Sequence, residues 1–99
     1  NLLGKIENIS NLIKSLANHY DLEQLIELRM EVHKISGSAA AFDYKPIGDV
    51  CHQMDLFLKP YADLEQKLQP NADFIPRCHQ FMRAILLAFQ KIDVPSIAF

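Results

Sequence analysis

Apolar residues recur at intervals of three and four along almost the whole chain, and strand-like alternation is hard to find. That spacing lines up side chains on one side of an α-helix, which turns about 100° per residue. The first run holds Leu2, Leu3, Ile6, Ile9, Ile13 and Leu16 and is interrupted at Ala17–Tyr20. Asp21 suits an N-cap, because its carboxylate can accept from the free amides of a first turn, so a second helix is predicted from about Leu22 to Ala41. Lys45-Pro46 marks the next start, since the residue before a proline avoids helix while proline suits the first helical position. The third helix carries Ile47, Val50, Cys51, Met54, Phe57 and Leu58 on one face, and Pro60 is expected to end or kink it. Tyr61–Leu68 is expected to add a short further helical segment. After a break at Gln69-Pro70-Asn71, the last helix is predicted from near Asp73 or Pro76 to Ile92, with Cys78, Phe81, Met82, Ile85, Leu86 and Phe89 inward. Asp93–Phe99, which contains Pro95, reads as a tail.

Short connections between long amphipathic helices make neighbours run antiparallel. The expected fold is therefore all-α: an antiparallel up-down four-helix bundle with a short additional helical segment. The 99 residues are enough for one core and form a single expected domain, 1–99, with 93–99 as its tail. There is no initiator Met, and the chain reads as an excised domain or as a trimmed form of a protein that stands alone. A net charge of −2 argues against a nucleic-acid binder, which normally carries a basic stripe. No apolar run approaches the ~18 residues of a membrane span. The two cysteines, Cys51 and Cys78, are too few for a disulfide framework and read as reduced, buried thiols in a cytoplasmic protein.

The second helix has three faces where an ordinary surface helix has two. Leu25, Leu28, Val32, Ile35 and Ala39 share the core side, and Glu23, Glu27, Glu31, Lys34 and Ser38 the solvated side. Between them lies a sector with Ile26, Arg29, Met30, His33, Ser36, Gly37 and Ala40. His33 is predicted to be largely exposed, with apolar residues on the turns before it and a glycine one turn after. Gly37 costs about 1 kcal/mol against alanine in a helix interior. Either it leaves the imidazole open to approach, or it lets another helix come close. Exposed apolar side chains around an accessible histidine suggest a docking surface, with Ile26, Met30 and Ala40 as its candidates.

The stretch His33-Lys34-Ile35-Ser36-Gly37-Ser38-Ala39-Ala40-Ala41-Phe42 resembles the histidine-containing phosphotransfer (HPt) domain of multistep two-component phosphorelays. His33, Ile35, Gly37 and Ser38 stand at the motif's histidine, aliphatic, glycine and small-residue places. The resemblance implies an antiparallel four-helix bundle with the histidine exposed midway along the second helix. It implies that His33 takes a phosphoryl group from a receiver phosphoaspartate, or from a sensor histidine kinase, and passes it to a response-regulator receiver domain. The lysine usual three places after the family's histidine is Ser36 here. Lys34 and Arg29 are then the candidates to neutralise the phosphate. No cofactor is expected on this chain, the Mg²⁺ being implied on the partner receiver. The domain is expected to act as a phosphocarrier with no ATP-dependent activity of its own.

The chemistry is compatible with one histidine working alone. At pH 7 most of an exposed imidazole is neutral, and one ring nitrogen carries a free lone pair that can attack phosphorus. Phosphoryl transfer needs positioning and charge neutralisation more than covalent help. Other readings exist. Cys51, His52, Cys78 and His79 could offer zinc two sulfurs and two nitrogens, but adjacent Cys and His diverge by about 100° on a helix. A plain helical interaction module would use Ile26 and Met30 to bind a partner helix. A histidine-kinase dimerisation helix would have an acidic residue after the histidine, where this chain has Lys34. Asp55, about two turns into the third helix, reads as either surface or partner-facing.

Overall fold

The computed structural model describes residues 1–39, 41, 44–66 and 68–97, the last six of these for the backbone only. Its described residues form four helices: α1 Leu2–Asn18, α2 Leu22–Ala39, α3 Lys45–Ala62 and α4 Phe74–Ile97. Each packs on its neighbour in sequence, and α4 closes the ring against α1. The expected all-α bundle is the observed one.

Local chemistry sets the boundaries. Asn1 caps α1 by accepting from the Gly4 amide. Asp21 accepts from the Glu23 amide at 2.9 Å and, through its carbonyl, from Leu25 at 3.0 Å, so it starts α2 as expected. α2 ends at Ala39, whose carbonyl accepts from the Tyr44 amide at 2.8 Å. Pro60 neither ends nor interrupts α3, which continues to Ala62. Proline removes a single donor there, and only two helical residues follow it. The short extra helical segment expected at 61–68 is absent among the described residues: Tyr61 and Ala62 complete α3, and 64–66 form a turn. The tail reading is also corrected, because α4 runs through Pro95 to Ile97. That proline again lies in a last turn, with only two helical residues after it.

The core is one apolar cluster. In α2 the buried residues are Leu25, Leu28, Val32, Ile35 and Ala39, the stripe read from the spacing. In α1, Leu12 joins the buried set and Leu3 leaves it. Leu3 lies one residue, about 100°, past the stripe that runs through Leu2, Ile6 and Ile9. Leu86 is exposed for the same reason: Ile85 holds the inward place, and Ala88 continues the stripe. At one end Phe74, the first residue of α4, sits in a knot of rings. Its centroid lies 4.8 Å from Tyr61, 5.6 Å from Phe57 and 6.5 Å from Tyr20. Arg77 stacks its guanidinium over the Phe57 ring at 4.9 Å.

Cys51 and Cys78 are both free and buried, and burial pushes each thiol up to about 12. Both are therefore protonated at neutral pH and make poor nucleophiles.

The helical glycines answer the question left open at Gly37. A Cβ built on Gly37 meets nothing within 4 Å, whereas one on Gly48 comes 2.9 Å from the Ala39 Cβ. Gly48, not Gly37, is where two helices need a glycine to approach. Gly48→Ala is therefore expected to destabilise the fold by about 1–3 kcal/mol, because neither Cβ can swing away. Gly37→Ala is expected to stabilise it by up to about 1 kcal/mol. Thermal unfolding of the two variants checks this; equal effects would contradict the assigned packing.

Candidate functional site

The close α2–α3 pair sets the register of the site. Gly48 lies against Ala39 and Ser36, and seven residues further along α3 Asp55 lies against Arg29 and His33. Advancing on α3 means retreating on α2, so the two helices are antiparallel. Arg29 and His33 are one turn apart on the same side of α2. Both reach Asp55 from there.

His33 is where the sequence puts it, on the outside of the bundle, with 69% of its side chain exposed. Its ring is nevertheless anchored at one end. Nδ1 lies 2.9 Å from Oδ2 of Asp55. The other oxygen, Oδ1, accepts from Nε of Arg29 at 3.0 Å. Asp55 is 8% exposed and is the one buried charged residue among the described residues. An ionised carboxylate only accepts hydrogen bonds. In the neutral imidazole the proton of the His33–Asp55 contact therefore belongs to Nδ1, and Nε2 keeps its lone pair. The anchored ring cannot turn freely, so that lone pair has a fixed direction.

Asp55, which the sequence allows as either surface or partner-facing, is neither: it is buried against Arg29 and His33. A trace of it was present. Asp55 stands four residues after Cys51 and three before Leu58, inside the apolar stripe of α3. A charge at such a place needs a partner.

The rest of the expected site divides. Ile26, Met30, Arg29 and Lys34 line a groove of about 330 Å³ beside His33, closed on its far side by Ala62 and Leu64. Met30 is 53% exposed and Leu64 63%, so the groove has an apolar, open rim. Ala62 and Leu64 come from the end of α3 and the turn after it, which no pattern within α2 can announce. Lys34 is exposed, and its Nζ lies 3.8 Å from Glu31. Gly37 is exposed in open space, one turn past His33, and Ser36 is half-buried. Ala40 lies outside the described residues.

The suggested metal quartet is not assembled. Cys51 and Cys78 point into the core while His52 and His79 face out, and the described residues contain no group of three His, Cys, Asp or Glu side chains able to hold a metal ion. Among the described residues no helix is long and apolar enough to cross a membrane.

What the arrangement can do is specific. It offers one anchored imidazole with a free, directed lone pair, beside open space on one side and an apolar groove on the other. A family model described as the Hpt domain matches residues 6–90 of the chain. Comparison with curated proteins and with solved structures finds no significant match.

Proposed function

Since the chain belongs to the Hpt domain family, whose members carry phosphoryl groups in two-component phosphorelays, we propose that Nε2 of His33 is the atom that receives the phosphoryl group and passes it on. The observation that supports this most is the hydrogen bond from Nδ1 of an otherwise exposed imidazole to the buried Asp55 carboxylate. It combines access for a large donor with a defined tautomer and a defined line of attack.

In the forward step the Nε2 lone pair attacks the phosphorus of an acyl phosphate on a receiver domain. The N–P bond forms, the P–O bond to the receiver's aspartate breaks, and the electron pair leaves on that carboxylate. The Nδ1 proton stays in place, hydrogen-bonded to Asp55, whose carboxylate offsets the positive charge that builds on the ring. The return step runs the same path toward the carboxylate of a second receiver. Hpt domains interact with receiver domains and kinases. Here the groove at Ile26, Met30 and Leu64 is the surface for that partner. The open volume at Gly37 admits the partner's phosphorylated loop. Mg²⁺ to neutralise the transferring group would be supplied by the receiver, and the domain itself would carry the phosphoryl group without ATP chemistry. Lys34, free to swing away from Glu31, supplies positive charge at the rim.

Asp55→Asn tests the reading. The amide keeps the size of the carboxylate but can turn a donor toward Nδ1, which selects the tautomer with its proton on Nε2. Phosphoryl acceptance from a phosphorylated receiver is expected to fall roughly 10²-fold, the scale of losing orientation at a reacting nitrogen. A rate equal to that of the parent protein would mean that Asp55 does not govern the nucleophile.

A further inference from the structure

We propose that Arg29 is a positioning residue for His33, acting through Asp55, and not the counter-charge of the phosphate. The functional half of this inference rests on His33 being the phosphoacceptor; the structural half does not.

Both oxygens of Asp55 are engaged. Oδ1 is engaged by Arg29 Nε at 3.0 Å and Oδ2 by His33 Nδ1 at 2.9 Å. An Asp carboxylate held at one oxygen only is free to rotate about its terminal torsion, which is broad and two-fold. Arg29 removes that freedom, because turning the carboxylate breaks a charge-assisted bond. Arg29 thus secures the orientation of Asp55, and through it the acceptor that meets Nδ1 and the reactive tautomer of His33.

The same geometry argues against Arg29 as the phosphate's partner. Its Nε is committed on the Nδ1 side of the ring, whereas the phosphoryl group forms on Nε2 at the opposite edge. Among the described residues Lys34, one residue after His33 and 56% exposed, has no comparable commitment: its nearest carboxylate oxygen there, on Glu31, lies at 3.8 Å.

Long-range ¹H–¹⁵N NMR of the unphosphorylated protein reads the His33 tautomer directly and needs no phosphodonor. The parent protein is expected to show Nδ1–H alone. Arg29→Gln is expected to show a mixture of both tautomers, and Arg29→Lys, which restores charge without the planar fork, to lie between them. The rate of acceptance from phosphoramidate should fall with the remaining Nδ1–H population, roughly three- to tenfold for Arg29→Gln. Unchanged tautomers in Arg29→Gln would overturn the inference, and more pointedly so if the lifetime of the phosphohistidine changed instead, since that is the signature of a counter-charge. Should the parent protein show the Nδ1–H tautomer, and Arg29→Gln lose it, while phosphate is found on another residue, the phosphoacceptor reading would fail and the positioning role would stand. Circular dichroism unfolding of both variants separates these outcomes from loss of fold.

Discussion

His33→Gln is expected to abolish acceptance of an acid-labile phosphoryl group while changing stability by no more than about 0.5–1 kcal/mol. The loss is total because no other side chain duplicates the arrangement. His19, His52 and His79 are also exposed, but among the described residues none has a ring nitrogen hydrogen-bonded to a carboxylate. The small cost in stability follows from the site itself. The imidazole is 69% exposed, glutamine is a good helix former, and its amide can still donate to Asp55. Replacing His19, His52 and His79 in turn is expected to leave labelling at the parent level. Labelling that survives in His33→Gln and disappears in one of the others would move the site.

The largest effect on stability is expected at Phe74. It is 1% exposed and joins three parts of the chain: its own helix, Tyr20 between α1 and α2, and Phe57 with Tyr61 on α3. Truncation to alanine removes the ring's transfer free energy and leaves a cavity that rigid neighbouring rings cannot fill. The expected cost is about 3–5 kcal/mol. A domain of this size holds only about 5–15 kcal/mol in all, so the midpoint should drop by roughly 15–30 °C. Phe74→Leu should recover part of this. A cost below about 1 kcal/mol would show that the knot does not close this end of the bundle. Both thermal and urea unfolding read it.

The predictions differ in kind because the fold and the site were legible to different degrees. α2 was readable down to single residues, since its 3.6-residue period is uninterrupted and its buried set depends on that period alone. Leu3 and Leu86 are both leucines, but each lies one residue off its stripe, and angle decides over residue type. Pro60 and Pro95 depart from local expectation too. A local rule says that proline stops a helix, yet each of these helices runs two residues past its proline before ending.

The site was half legible. His33, Gly37 and the Ile26/Met30 rim follow from one helix read by itself. Asp55 is 22 residues away from His33, and its role exists only because α3 packs against α2 in one register. No periodicity encodes that pairing. What the sequence did contain was a carboxylate inside an apolar stripe, a local conflict of the sort that functional sites create. Ala62 and Leu64 were hidden for the same reason, because they complete a groove whose other wall is on α2.

The most direct test of this account is NMR of the domain phosphorylated by phosphoramidate, with ³¹P and ¹⁵N spectra assigned to individual ring nitrogens. A single phosphohistidine is expected, at His33, bonded through Nε2, with Nδ1 still protonated and hydrogen-bonded. A phosphoryl group on Nδ1 of His33, or on any of the other three histidines, would contradict it.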